Sequence, residues 1–184
     1  MDRIVLFIFG AVCLLALGCS QPPAGASGGA GPAARPAAQE AAKSAGPESK
    51  AQSKLPMIKL WVGPHVIDSE IAATPNQRQM GMMYRTSMGE MEGMIFIFNS
   101  VSQQAFWMRN TTVPLDVAYI DPDGKIREIY PLETLNENTV PSKSFQIQYV
   151  LEMNQGWFEK YGVKAGMTIR TEKGTFSDTF FGRR

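Results

Sequence analysis

The sequence predicts a mainly β, β-rich α+β domain: a compact barrel- or sandwich-like body with one or two short helices. Three observations carry that reading. Between residues 57 and 184 apolar residues come in short runs, several alternating with polar ones, and Gly, Pro, Asn and Asp punctuate them. One clear helix start interrupts them, Thr74-Pro75-Asn76-Gln77. These 128 residues also hold 16 aromatics and five alanines, a composition that closes a core.

The elements follow in order. Ile58-Lys59-Leu60-Trp61-Val62 alternates and breaks at Gly63-Pro64, and His65 to Ala73 continues extended, which reads as a hairpin. Thr74 is an N-cap with proline at the first helical position and Gln77 placed to complete a capping box, so a helix is expected from Pro75 to about Tyr84. Gly93 to Phe98 is apolar without alternation, as in a strand covered on both faces. Phe106-Trp107-Met108 and Leu115 to Ile120 are further strands. Asp121-Pro122-Asp123-Gly124 places Asp, Pro and Gly where a type I turn wants them, and Lys125 to Tyr130 returns antiparallel. After a loop at 131–143, Phe145, Ile147, Tyr149 and Leu151 mark a long strand. Asn154 is read as the cap of a short helix through Tyr161, and a last strand is placed near Met167–Thr171.

The first 56 residues have another character. Ile4 to Leu17 carry no charge, a run too short for the roughly 20 residues that span a bilayer but suited to a secretory signal. Ala16-Leu17-Gly18-Cys19 resembles the lipobox of bacterial lipoproteins, in which the cysteine thiol is acylated and becomes the new N-terminus. Residues 1–18 are thus expected to be a signal peptide, and Cys19 a lipid anchor. Ser20 favours, by the same resemblance, an outer-membrane position facing the periplasm. Residues 20–54 contain eleven Ala, five each of Pro, Gly and Ser, and no aromatic or β-branched residue. That composition cannot offset ordering entropy and reads as a disordered tether with a reach of roughly 30–35 Å. The expected organisation is signal 1–18, lipidated Cys and tether 19–56, and one globular domain 57–184.

Charge and composition exclude several functions. Thirteen basic against fourteen acidic residues in 57–184 leave no electrostatic footprint for nucleic acid. One imidazole, His65, and no cysteine after Cys19 exclude Cys/His zinc sites, thiol nucleophiles and internal disulfides in that domain. His65, beside Gly63-Pro64, is expected to be exposed, and no cofactor is implied.

Arg78-x-x-Gly81-Met82-Met83-Tyr84-Arg85, Gly93-Met94-Ile95-Phe96, Phe106-Trp107-Met108-Arg109-Asn110-Thr111-Thr112-Val113-Pro114-Leu115-Asp116 and Tyr149-Val150-Leu151-Glu152 with Gly156 resemble a prokaryotic family catalogued as domain of unknown function number 192. The resemblance covers nearly all of residues 58–172. It implies a compact β-rich domain, often exported, and brings no established reaction, substrate or cofactor. Met82 stands where Leu is commoner, and the tail after Glu172 lies outside the pattern.

Polar residues inside these apolar blocks are the candidates for a site, because a charge amid Phe, Trp and Met is either paired or functional. If the helix reaches Arg85, Arg78 and Arg85 share a face with Met82 between them and suit an anion. Otherwise Asp116 and Glu152 neutralise them. Trp107 with Arg109, Asn110 and Asp116 suits a sugar, an aromatic platform beside planar hydrogen-bonding groups. The alternative to the sugar site is that Phe106 and Trp107 alternate between core and surface as any strand pair would. Asn110-Thr111-Thr112 either ties down a loop or faces a polar ligand. Its glycosylation sequon means little in a bacterial lipoprotein. Met80, Met82, Met83, Met88, Met91 and Met94 fall within fifteen residues, and thioethers favour Cu(I), with Met80, Met83 and Met88 the ligand candidates. Methionine also fills cores. Asp116 and Glu152, with Asp121 as a third carboxylate, are the pair a weak glycoside hydrolase would need. The leading expectation is a lipid-anchored envelope module that binds a carbohydrate, a cell-wall fragment or a small anion. It has no assigned catalytic residue.

Overall fold

Val62 pairs with His65 across Gly63-Pro64, so the first alternating runs close into the expected hairpin of β1 (Met57–Val62) and β2 (His65–Ala72). The computed structural model describes residues 50–182. The signal segment, Cys19 and residues 20–49 of the tether lie outside the described residues.

The folded part begins ahead of Met57. Gln52 Nε2 donates to the carbonyls of Gln77 and Gly81, the Leu55 N–H to Glu70 Oε2 at 2.9 Å, and Ile71 N–H to Pro56 O at 2.9 Å. The last stretch of the expected tether is thus bound to the domain.

Helix α1 (Pro75–Met80) starts with the capping box read from the sequence: Thr74 Oγ1 accepts from Gln77 N–H, and Gln77 Oε1 accepts from Thr74 N–H. It ends at Met80 rather than Tyr84. Gly81 takes φ +45° and Tyr84 φ +61°, conformations outside the right-handed helix. Consequently Arg78 and Arg85 do not share a helical face.

Strands β3 (Glu92–Ser102), β5 (Leu115–Ile120), β6 (Ile126–Leu132), β8 (Ile147–Asn154) and β9 (Ile169–Thr171) join the hairpin in a seven-stranded sheet of order β6-β5-β8-β3-β2-β1-β9. Only β2 and β3 run parallel, which is why a crossover containing α1 links them. The Asp121–Gly124 turn forms as read, with Gly124 N–H donating to Asp121 O at 3.0 Å. β4 (Ala105–Phe106) and β7 (Val140–Pro141) form a separate two-stranded ribbon. The sheet curls until its edges meet at one end, where Lys125 bridges Thr168 and Ile126 N–H donates to Met167 O at 2.8 Å.

The curl creates two apolar layers. Ile67, Ile95, Ile120, Leu151 and Phe176 belong to the inner one, while Met94, Phe96, Leu115, Val117 and Val150 face out beneath the Met82 turn and the Met108–Val113 loop. Central strands are therefore covered on both faces. Each fully buried side chain of this size contributes roughly 1.5–3 kcal/mol. Gly93 permits the tight approach of β3 to β8: a Cβ there would lie 2.5 Å from Met153 Sδ and 2.9 Å from the Glu152 carbonyl oxygen.

Local differences from expectation have physical causes. Asn154 is the last residue of β8 and donates to the carbonyls of Met88 and Gly89, so Gly156 precedes α2 (Trp157–Lys160) instead. Phe145 lies outside β8 and is 65% exposed. His65 is half-buried, not exposed, with its ring edge against Trp157 and Tyr161. Helix α3 (Phe176–Phe180) is an addition; Thr175 caps it through the Asp178 N–H. Among the described residues no helix is long and apolar enough to cross a membrane.

Candidate functional site

Strand alternation assigns each polar candidate to a layer. In β8, Leu151 and Met153 face the inner layer, so Glu152 faces the outer one, opposite Val117 of β5 and Met94 of β3. In β5, Leu115 and Val117 face out, so Asp116 faces in, opposite Met153. Asp116 and Glu152 therefore lie on opposite sides of one sheet. They cannot form the carboxylate pair of a glycosidase, and neither neutralises Arg85.

Glu152 opens onto a cavity of about 30 Å³ bounded by the turn after α1, by β3 and by the segment from Phe106 to Thr111. That volume is close to the share of one water in the liquid. The side chain is 4% exposed, and its Oε2 has no hydrogen-bond partner. Burial pushes the carboxyl up to about 8, so it is protonated at neutral pH. It thereby holds one O–H donor and one carbonyl acceptor.

The aromatic wall is built by packing. Phe106 meets Phe96 edge-on at 4.8 Å and Tyr119 at 6.1 Å. Gly81 fits over the Phe96 ring, with its Cβ position 3.4 Å away. Trp107 also lines the cavity but is 37% exposed, and the Arg109 guanidinium lies 5.7 Å from its ring centre.

The remaining candidates are largely engaged within the fold. Arg78 lines the cavity, yet its Nη1 donates to Ile97 O at 3.0 Å and to Ala73 O, and it sits over Phe98. Arg85 forms a two-pronged ion pair with Glu70, both contacts 2.7 Å. Asn110 adopts φ +52°, donates to Tyr84 Oη at 2.8 Å and accepts from Tyr84 N–H through its carbonyl. Thr111 and Thr112 donate to the carbonyls of Arg109 and Arg85. Asn110-Thr111-Thr112 thus ties the loop down. The expected arginine pair is not available as an anion clamp, and Asp116 is not beside Trp107.

Met80, Met82 and Met83 line the Glu152 cavity, Met88 packs against the outer layer, and Met91 packs against the inner one. Among the described residues no group of three or more His, Cys, Asp and Glu is placed to hold a metal. Sequence reasoning missed Glu70, the partner of Arg85, and the cavity role of Phe96. A second carboxylate within β2, between Ser69 and Ile71, was a signal for the first. No local signal marked the second.

Fold and cavity together define a curled-sheet β domain carrying a buried, protonated acid behind an aromatic wall. The chain belongs to the family described as uncharacterized ACR, the domain of unknown function 192, which matches residues 58–171. A solved protein of unknown function from Novosphingobium aromaticivorans DSM 12444 is similar at 34% identity, covering 71% of this chain and 96% of its own, with a TM-score of 0.62. A protein from Sinorhizobium meliloti 1021, described as a candidate transcription regulator, is similar at 34% identity over 62% of this chain and 92% of its own, with a TM-score of 0.59. No curated protein matches.

Proposed function

We propose that this is a non-catalytic binding module of the bacterial envelope, lipid-anchored at Cys19, whose outer-layer cavity receives a hydroxyl of a neutral carbohydrate. The observation that carries the reading is the unpartnered Oε2 of a buried Glu152 beside a part-exposed Trp107. A protonated carboxyl donates one hydrogen bond and accepts another, and a hydroxyl does the same, so the two are reciprocal. A cavity of about 30 Å³ admits one such group while the sugar ring lies outside on the Trp107 face. Glu70 closes the Arg85 fork and backbone carbonyls engage Arg78, so these two arginines do not form an anion clamp. The regulator description of the Sinorhizobium protein is not carried over, because residues 57–184 have no excess of basic charge.

The test is titration of the purified protein with neutral cell-wall oligosaccharides, followed by calorimetry. Trp107→Ala is expected to weaken binding at least tenfold with unchanged melting. Equal affinity for both proteins, or no heat with any oligosaccharide, overturns the carbohydrate reading. A second reading, a Cu(I) site, is favoured by the three methionines lining the same cavity. Cu(I) competition against a chelator decides it: an affinity unchanged by Met→Leu at Met80, Met82 and Met83 removes it. The anchor is tested separately with radiolabelled palmitate. Label is expected in the native chain and absent from Cys19→Ala; equal labelling sinks the anchor.

A further inference from the structure

Asp116, separated from Trp107 by the sheet, lies in a different and larger concavity. This groove encloses about 610 Å³, within the range of small-molecule sites. Its apolar walls are Ile129, Pro131, Phe158 and Val163. Asp116 is 8% exposed, and its Oδ2 accepts the Gly156 N–H at 2.8 Å. No other hydrogen bond from the described residues reaches this carboxyl. Burial pushes the Asp116 carboxyl up, and the negative charge of Glu159, on the same groove, adds to the push against the Gly156 hydrogen bond. Lys164 also faces the groove, but among the described residues it forms no ion pair with either carboxylate. The groove thus joins an apolar wall to two carboxylates that no ion pair among the described residues neutralises.

We propose that this groove is a second binding site, for a small primary amine carrying an apolar body. The ammonium group sits on Asp116, within the field of Glu159, and the apolar body lies along Ile129, Phe158 and Val163. A primary ammonium has three donors, enough to reach the carboxylate oxygen that Gly156 does not use. A neutral alcohol of the same shape keeps the apolar contact but loses the charge. An acid of that shape meets two like charges.

Three probes of one shape separate these terms: phenethylamine, 2-phenylethanol and 3-phenylpropanoate. Each is titrated into the purified protein while the amide signals of Gly156 and Val163 are followed by NMR. The amine is expected to saturate in the low millimolar range, with the alcohol at least fivefold weaker and the acid without effect. Asp116→Asn keeps a carbonyl oxygen for the Gly156 N–H and is expected to weaken the amine at least tenfold. Glu159→Gln, an exposed change without folding risk, is expected to weaken it two- to fivefold. Equal affinity for all three probes, no saturation by the amine, or an affinity unmoved by Glu159→Gln and Asp116→Asn overturns the proposal. If Asp116→Asn does not fold, the Glu159→Gln titration and the alcohol comparison decide alone.

Discussion

Glu152→Gln is expected to melt well above the native protein at pH 9 and close to it at pH 4. The ordinary carboxyl value is 4.5, and burial raises that of Glu152 to about 8 in the folded chain. As pH rises from 4.5, the unfolded chain gives up this proton while the folded chain retains it. The native state then binds more protons than the unfolded one, so stability falls with pH throughout that window and levels off above 8. Within the window each pH unit costs up to about a factor of ten in the folding equilibrium. Glutamine has no such titration. The expected gap at pH 9 is up to about 5 kcal/mol, or roughly 15 °C in Tm for a domain of this size. Thermal melts of both proteins between pH 4 and 9 check it. Parallel curves would mean that Glu152 is ionised in the folded protein, removing the donor on which the carbohydrate reading depends.

Arg85→Ala is expected to destabilise the protein by about 3–5 kcal/mol, because it leaves the buried Glu70 carboxylate without its guanidinium. The Leu55 N–H remains on Glu70, but one neutral donor does not replace two charge-assisted bonds. Urea denaturation provides the measurement. The double variant Arg85→Met with Glu70→Gln is expected to recover much of the loss, since it removes both charges rather than stranding one. A single-variant cost under about 1 kcal/mol would show that water reaches Glu70 freely. Because Glu70 also holds Leu55, the loss should reach the stretch from Gln52 to Pro56. Limited proteolysis near those residues should quicken in Arg85→Ala and return toward the native rate in the double variant.

Much of the architecture was legible because its signals are local. The Thr74 capping box, the Gly63-Pro64 hairpin and the Asp121–Gly124 turn depend on residues within four positions of one another, and all formed as read. The end of α1 was less legible. Met82, Met83 and Tyr84 continue an apolar pattern that a helix also satisfies. What ended it was the fit of the turn over Phe96 and the Tyr84–Asn110 hydrogen bonds, with a partner 26 residues away. The cap at Asn154 failed for a similar reason, since β8 runs on to that residue and turns its amide toward Met88 and Gly89.

The candidate site was legible as a set of residue types but not as a place. Trp107 and Glu152 were both singled out, and they do line one cavity; Arg85, Asn110 and Asp116 were singled out with them and serve elsewhere. By itself the sequence determined the family, the strand and turn grammar and the balanced charge, since these depend on composition and near neighbours. The tertiary structure decided which acid is buried alone, which arginine is paired and which candidates share a cavity. Those outcomes follow from strand register: in a sheet covered on both faces, one position along a strand moves a side chain to the opposite layer, with different neighbours and a different pKa.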